Sequence, residues 1–374
     1  MSGAADKRLF TPGPINTSRA VKEAMLRDMG SRDGEFLATV REIRHELLRL
    51  AGATQSAGYE AVLLQGSGTF AVESVISSAV PEHGTLLVVS NGAYAERIGQ
   101  IAARHRIPAR FLRCAENAAP DIAALSATLA DPAITHVAVV HCETSSGILN
   151  PLDAIAERVR EAGAALIVDA MSSFGAYPIS LPSLSAHFMV SSANKCIEGV
   201  PGFAFVLARR ESLLACRDVA RTVSLDLWAQ WDGMERTGQF RFTPPTHALL
   251  AFRQALDELR AEGGPTGRAA RYRTRHAALV AGMRAMGFVE HVVPALQSHI
   301  ITTFRCPSEA TFRFADFYER LSSRGLVIYP GKLTQGDCFR VGTIGRITEE
   351  DIRALLAGIR EVLAEMGVAV PLRH

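Results

Sequence analysis

Two stretches of this sequence decide its fold: Ala164-Ala165-Leu166-Ile167-Val168-Asp169 and His187-Phe188-Met189-Val190-Ser191-Ser192-Ala193-Asn194-Lys195. Each is a largely apolar run of strand length, and each ends in a charged residue. Continuous apolar runs are typical of strands buried on both faces of a parallel sheet. Because the carboxyl ends of parallel strands meet at one edge of the sheet, Asp169 and Lys195 are predicted to face a common site.

The combination of Asp169 and Lys195 predicts a pyridoxal 5'-phosphate site. In such a site a lysine forms a Schiff base with the cofactor, and an aspartate keeps the pyridine nitrogen protonated so that the ring accepts electrons. Asp169 by itself could cap a following helix. A lysine that closes an apolar strand, however, is hard to explain as a solvated residue. Burial would also lower its proton affinity, as nucleophilic and general-base roles require.

Outward from this pair, apolar runs of strand length alternate with helix-like segments. The runs cover residues 61–64, 85–89, 109–112, 136–140, 164–168, 188–191 and 203–207. This alternation predicts an α/β protein with a mainly parallel, seven-stranded sheet that helices cover on both faces. Amphipathic patterns over residues 18–29 and 35–50 predict two helices before the first strand.

The second half of the chain has a different pattern. A long helical pattern over residues 245–262 is followed by Gly263-Gly264-Pro265, which is typical of a connection between domains. The later segments mix helices with strands predicted over residues 300–304, 325–329 and 338–341 and end in an amphipathic helix. We expect an amino-terminal arm of residues 1–20, a large cofactor-binding domain of residues 21–262 and a smaller α+β domain of residues 263–374.

The composition excludes several classes of protein. A chain of 374 residues, 48% of them hydrophobic, can bury a large core, and its net charge of +2 provides no general attraction for nucleic acid. The amino terminus lacks an apolar signal core and no apolar run could span a bilayer, so we expect a cytoplasmic protein without a membrane partner. The 6 cysteines are scattered, without zinc or redox spacing, so we expect reduced thiols and no metal.

A glycine-rich segment, Gly66-Ser67-Gly68-Thr69, follows a buried strand and opens a predicted helix. Its backbone amides and the Ser67 and Thr69 hydroxyls can hold a phosphate at the positive end of that helix. The glycines also fit the dinucleotide fingerprint of a nicotinamide oxidoreductase, but that fold needs an acidic residue after the next strand, where this chain has Ser90-Asn91-Gly92. The segment favours a lone phosphate over a dinucleotide; a tight turn without a ligand is the other interpretation.

Three other residues are candidates for the same site. Tyr94 follows the strand over residues 85–89 and could lie flat on a pyridine ring, and Thr144 follows the strand over residues 136–140 and could hydrogen-bond the ring oxygen. Packing and loop capping are the simpler explanations of these two. Arg340, inside a predicted strand, has a planar fork that suits a substrate carboxylate or phosphonate, although a surface salt bridge is equally compatible with its position.

With these motifs the sequence resembles the class V, fold-type I aminotransferases, and most closely the subgroup of 2-aminoethylphosphonate:pyruvate aminotransferases. The resemblance runs through almost the whole chain. The segments that carry it are Thr11-Pro12-Gly13-Pro14, Leu63-Leu64-Gln65-Gly66-Ser67-Gly68, Val89-Ser90-Asn91-Gly92-Ala93-Tyr94, Ile167-Val168-Asp169-Ala170-Met171-Ser172-Ser173-Phe174-Gly175, Ser191-Ser192-Ala193-Asn194-Lys195-Cys196-Ile197, Gly199-Val200-Pro201-Gly202-Phe203 and Phe339-Arg340-Val341-Gly342.

The resemblance implies a role for each candidate residue. Lys195 is implied as the Schiff-base lysine, Asp169 as the partner of the pyridine nitrogen, Tyr94 as the stacking residue and Arg340 as the anchor of substrate anions. The implied contacts to the cofactor phosphate are Ser67, Gly68, Thr69 and Asn194. Thr243 is implied to reach the phosphate of a neighbouring subunit, which means a homodimer with shared active sites.

The resemblance also implies an activity: transfer of the amino group of 2-aminoethylphosphonate to pyruvate, giving phosphonoacetaldehyde and L-alanine, in phosphonate catabolism. An alanine- or serine-glyoxylate aminotransferase of the same class would keep every cofactor residue. A cysteine desulfurase would need a mobile nucleophilic cysteine, and Cys338 is poorly placed for that role. A cofactor-binding regulator would need an added nucleic-acid domain that this length and charge do not supply.

Overall fold

The computed structural model describes residues 6–334 and 336–372 of the chain. The first five residues of the predicted arm and the last two of the predicted small domain lie outside the described residues. The helices are α1 (Arg19–Glu23), α2 (Gly34–Leu50), α3 (Gly68–Ala79), α4 (Ala93–Arg104), α5 (Ile122–Leu129), α6 (Leu152–Glu161), α7 (Arg210–Ala215), α8 (Leu227–Thr237), α9 (Thr246–Ala261), α10 (Gly264–Ala285), α11 (Phe314–Ser323) and α12 (Glu349–Glu365).

The strands fall into one large sheet and several small ones. They are β1 (Arg8–Leu9), β2 (Tyr59–Gln65), β3 (Thr85–Ser90), β4 (Ala109–Arg113), β5 (Ile134–Val140), β6 (Cys142–Glu143), β7 (Ile148–Leu149), β8 (Ala165–Asp169), β9 (Phe188–Ser192), β10 (Phe203–Arg209), β11 (Ile301–Arg305), β12 (Leu326–Val327), β13 (Tyr329–Pro330) and β14 (Cys338–Gly342).

The large sheet has 7 strands in the order β2-β10-β9-β8-β5-β3-β4. β10 runs antiparallel to both of its neighbours, and the other pairs are parallel. The predicted mainly parallel α/β sheet is therefore confirmed, with β10 as the reversed strand. Because β2, β3, β5, β8 and β9 point the same way, the residues that follow them meet at one edge, where ligands of such sheets bind.

Two large apolar cores stabilise the chain. The first packs α2, α3, α4, α6, α8 and α9 against the large sheet. The second joins Phe10 to residues after position 278, including Phe304, Phe317, Phe339 and Ile359. Phe10 reaches it because β1 pairs in parallel with β12. The amino-terminal segment thus packs on the smaller core, and the domain boundaries at residues 20 and 262 stay predictions.

Two predicted elements differ from the structure. The helix predicted over residues 18–29 ends at Glu23, and a 3₁₀ turn covers Ala24–Leu26. The strand predicted over residues 325–329 is two short strands, because the chain changes partner at buried Ile328: β12 pairs with β1, and β13 pairs with β14. Among the described residues, no helix combines the length and the apolar character needed to cross a membrane.

Candidate active site

A cavity of about 220 Å³ lies at the carboxyl edge of the parallel strands. It collects residues from the ends of β2, β3, β5, β8 and β9, as the strand directions require. Predicted site residues that line it are Ser67, Gly68, Thr69, Tyr94, Thr144, Asp169, Asn194 and Lys195. The structure thus brings together eight of the ten predicted site residues, while Arg340 and Thr243 lie outside the lining.

Lys195 stands in the turn after β9. Its Nζ donates a hydrogen bond to the carbonyl oxygen of Pro12, 2.7 Å away, so the amino-terminal segment lies against the Lys195 side chain. Burial lowers the pKa of the Lys195 amine below its usual value of 10.5, while the neighbouring Tyr94 acts to raise it. An amine with a lowered pKa is more often neutral, and only the neutral form is a nucleophile or a base.

Asp169 ends β8 inside the cavity wall and is 8% exposed. Its Oδ1 accepts a hydrogen bond from the Met171 amide at 2.8 Å, so the carboxylate caps the following turn as well as facing the cavity. Burial raises the pKa of Asp169 to about 6, and the charge of Lys195 opposes that shift. A buried carboxylate is costly without a cationic partner, so this position favours a ligand with a positive charge.

The amino terminus of α3 forms the anion-binding end of the cavity. Ser67 is the N-cap residue, and its side chain makes no capping hydrogen bond to the helix, which leaves its hydroxyl available to a ligand. The first amides of a helix have no intrahelical partner and carry a partial positive charge. A Cβ at Gly68 would lie 2.2 Å from Met171 Sδ, so a side chain at this position would require the end of Met171 to move.

Tyr94 lies in the first turn of α4 and is surrounded by cations. Lys332 Nζ lies 4.1 Å from the centre of its ring, and Arg97 Cζ lies 5.0 Å from it. Burial acts to raise the pKa of Tyr94, but Lys332, Lys195 and Arg340 together lower it below its usual value of 10.0. The cavity mouth is therefore electropositive, which favours anionic substrates.

Glu143, which sequence reasoning missed, anchors this part of the site. It is 0% exposed and accepts hydrogen bonds from the amides of Tyr94 (3.1 Å) and Ala95 (3.2 Å), in the first turn of α4. The Ser145 hydroxyl donates to its other oxygen at 2.5 Å. Burial raises the pKa of Glu143, while these hydrogen bonds oppose the shift. Glu143 thus fixes Tyr94 and the loop that carries Thr144 in one arrangement.

Arg340 lies in β14, opposite Thr303 of β11 and Tyr329 of β13. It is 3% exposed, which excludes the surface salt bridge that its sequence position allowed. Its Nη1 donates to the carbonyl of Thr144 at 2.7 Å and its Nε to that of Pro330 at 2.9 Å. These two bonds engage two of the five donors of a guanidinium and hold the group next to the cavity.

Thr243 is not part of the cavity of its own chain. It lines a separate depression of about 350 Å³ together with Arg32 and Phe242. Gln65 Nε2 donates to the carbonyl of Phe242 at 2.8 Å and to that of Thr243 at 3.2 Å, which ties this segment to the end of β2. Arg32 lines the same depression, while Asp33 accepts the Glu35 amide and caps α2.

Arg97 and Lys332 are further residues that the sequence did not single out. Arg97 lines the cavity, and its Nη1 donates to Thr69 Oγ1 at 3.2 Å. A helical spacing of three residues from Tyr94 was the available signal for Arg97. Lys332 comes from the loop between β13 and β14, and no sequence pattern relates it to Tyr94.

The fold and this site define a family. A family model described as aminotransferase class-V matches residues 16–355, so the chain belongs to the class V aminotransferases. The predicted family is thereby confirmed. Membership of this family also favours the lone-phosphate interpretation of the glycine-rich segment over the dinucleotide interpretation.

Named relatives are more specific. The chain is 51% identical over 354 residues to the 2-aminoethylphosphonate–pyruvate transaminase of Klebsiella pneumoniae, and this alignment covers 94% of the chain and 96% of that protein. Among solved structures, pyridoxamine-pyruvate aminotransferase from Mesorhizobium loti matches 99% of the chain, and 95% of its own, with a TM-score of 0.89 and 25% identity. Alanine–glyoxylate aminotransferase from Nostoc sp. matches 96% of both chains with a TM-score of 0.86 and 26% identity.

Proposed function

We propose that this chain is a pyridoxal 5'-phosphate enzyme that transfers the amino group of 2-aminoethylphosphonate to pyruvate, giving phosphonoacetaldehyde and L-alanine, in phosphonate catabolism. One observation carries the proposal: Lys195 and Asp169 face a single cavity that ends at the amino terminus of α3. The chain also shares half of its residues with a relative named for this activity.

The residues of the cavity fit the proposed cofactor. The amino terminus of α3, the Ser67 hydroxyl and Arg97 can hold its phosphate. Asp169 would hold its cationic ring nitrogen, which compensates for burial of the carboxylate. When bound at Lys195, the cofactor supplies a ring that accepts electrons from the carbon that loses a proton.

Lys195 is the proposed proton carrier of both half-reactions. Its Nζ would take the proton from the carbon that bears the amino group of the donor and return it on the way to product. Burial supports this role because it lowers the pKa of the amine toward neutral pH, where a base works best. In the cofactor-free protein, the carbonyl of Pro12, 2.7 Å away, orients the amine.

Arg340 is the proposed anchor of the substrate anions. A guanidinium binds phosphonate and carboxylate groups with the same planar fork, so one residue can serve the donor in one half-reaction and pyruvate in the other. The carbonyls of Thr144 and Pro330 hold the group in place and leave donors for the substrate. The charges of Lys332 and Arg97 near Tyr94 add to the attraction for a dianionic phosphonate.

A homodimer with shared active sites is part of the proposal. Its support is the place of Thr243, beside the end of β2 but outside the cavity of its own chain, next to Phe242, which is 45% exposed. A Lys195→Ala chain and a Thr243→Asp chain should each be inactive, and mixing them after dissociation should restore activity because one mixed site keeps both native residues.

We also propose a cytoplasmic location, supported by the free thiols of all six cysteines, which lie in the described part of the chain.

The test of the function is a comparison of amine donors. Cofactor-loaded protein receives pyruvate with 2-aminoethylphosphonate, and in parallel glyoxylate with serine or alanine. We expect alanine to form with the phosphonate and pyruvate, and Lys195→Ala to abolish it; Lys7→Ala is the matched control, because Lys7 is exposed, bonds Ser322 and does not line the cavity. Turnover confined to glyoxylate would instead assign the chain to the alanine- or serine-glyoxylate enzymes of the same class.

A further inference from the structure

A cluster of buried charges lies behind Lys195, outside the cavity. Glu198, in the turn that follows Lys195, is 1% exposed. Its carboxylate accepts hydrogen bonds from the Tyr272 hydroxyl at 2.5 Å and from Arg271 Nη2 at 2.9 Å, and Arg346 Nε lies 3.1 Å from its other oxygen. A buried carboxylate is tolerated only when it is compensated in this way, so Glu198 depends on these partners and they depend on it.

One side of the cluster holds the turn of Lys195. The amide of Glu198 donates to the carbonyl of Lys195 at 2.8 Å. Arg268, which is 0% exposed, donates from Nη1 to the carbonyl of Cys196 at 2.5 Å. The residue that carries the reactive amine and the residue after it are thus both tied to the cluster.

The other side holds the segment that follows the strand of Arg340. The carbonyl of Gly345 accepts from Arg271 Nη1 at 3.0 Å and from Arg275 Nη1 at 2.9 Å. The Tyr272 hydroxyl lies 3.3 Å from the Gly345 amide. Arg271, Tyr272 and Arg275 all lie on α10. This helix therefore connects the Lys195 turn with the segment that follows the strand of Arg340.

The backbone of Glu198 supports a role for its side chain. Its φ is +67°, in the left-handed region that glycine adopts at no cost and other residues adopt at a cost of about 1 kcal/mol. A turn of this shape would therefore be more stable with glycine. Glutamate offsets this backbone cost with a carboxylate that pairs with Arg271, Tyr272 and Arg346.

We propose that Glu198 is a positioning residue: with Arg271 and Tyr272 it holds the Lys195 turn in register with the Arg340 segment, so that the amine meets the reacting carbon of an anchored substrate. The inference rests on the proposed proton-transfer role of Lys195. It does not depend on the phosphonate substrate, because alanine and pyruvate also pass through a half-reaction at Lys195.

The test uses the holoenzyme and alanine, with or without deuterium on the α-carbon, and measures pyruvate formation in a single turnover. Glu198→Gln removes the charge at almost unchanged shape, and Glu198→Gly relieves the backbone strain. The matched control is Glu258→Gln, because Glu258 also pairs with Arg346 and accepts from Ser18 Oγ at 2.5 Å, without contact to the Lys195 turn. Hydrogen exchange of the Glu198 and Gly199 amides in the apoprotein is the second readout.

We expect both Glu198 variants to lose at least tenfold in rate at saturating alanine, to show a larger deuterium isotope effect than wild type, and to exchange the two amides faster. Glu258→Gln should stay within twofold of wild type in all three. Tyr272→Phe, which removes one hydroxyl, serves if the Glu198 variants do not fold, and should shift the readouts in the same direction. Wild-type rate and isotope effect in Glu198→Gln, or equal losses in Glu198→Gln and Glu258→Gln, would overturn the inference. If the wild-type enzyme did not turn over 2-aminoethylphosphonate, the test with alanine would still apply.

Discussion

Gly13 lies directly against the Lys195 side chain, and replacing it tests how exactly the amine must be placed. A Cβ at position 13 would lie 2.7 Å from both Cδ and Nζ of Lys195. Comfortable contacts between such atoms begin at about 3.5 Å, so Gly13→Ala must move the lysine by about 0.8 Å. A displacement of about 1 Å at a reacting group can cost about 100-fold in rate. We therefore expect kcat to fall by about 50- to 100-fold.

The same substitution strains the backbone, since Gly13 has a φ of +121°. Gly58→Ala is the matched control: its φ is +82°, and nothing lies within 4 Å of the added Cβ. Each variant should lose about 1–2 kcal/mol of unfolding free energy. Only Gly13→Ala should lose activity beyond what its stability explains.

The assay is alanine formation from saturating donor and pyruvate, together with urea unfolding of both variants. We expect Gly13→Ala and Gly58→Ala to have similar unfolding midpoints and a large difference in kcat. If Gly13→Ala turned over within twofold of Gly58→Ala, the contact between Gly13 and Lys195 would have no part in positioning the amine.

Three further predictions concern other residues of the cavity. Asp169 has a pKa raised from 3.8 to about 6 in the folded protein, so the wild-type apoprotein loses stability as the pH rises from 4 to 6. Asp169→Asn should escape that loss and be more stable by roughly 2–3 kcal/mol at pH 7 but not at pH 3.5, as measured by urea unfolding; equal stability at both pH values would contradict this. Arg97→Met should weaken cofactor binding about tenfold, measured by fluorescence, with little change in kcat at saturation. Arg340→Lys, which keeps the charge and loses the fork, should raise KM for donor and pyruvate about ten- to hundredfold; an effect on one substrate alone would remove its double role.

Much of the cavity was predictable because it follows from local sequence. Apolar runs of strand length locate the strands, and the rule that ligands meet at the carboxyl ends of parallel strands then places Asp169 and Lys195 together. The same rule works for Tyr94 and Thr144, which lie 4 residues after the ends of β3 and β5. Helix boundaries were accurate for α2 and α9, where amphipathic patterns are strong.

The rest of the site depends on contacts between distant segments, which no periodicity encodes. Pro12 reaches Lys195 because β1 pairs with β12 and brings the amino-terminal segment to the Lys195 side chain. Lys332 lies over Tyr94 and comes from the loop between β13 and β14. The reversed direction of β10, seen in its two antiparallel ladders, could not be predicted, because its composition resembles that of the parallel strands beside it.

The proposed function requires that 2-aminoethylphosphonate gives its amino group to pyruvate while Lys195 carries the proton in both half-reactions. The most direct measurement follows ¹⁵N from labelled 2-aminoethylphosphonate in a reaction with cofactor-loaded protein, while phosphonoacetaldehyde and alanine are quantified together. We expect both products to form in equal amounts, the alanine to carry the label, and Lys195→Ala to form neither. Phosphonoacetaldehyde without labelled alanine, or labelled alanine from the Lys195→Ala protein, would contradict it.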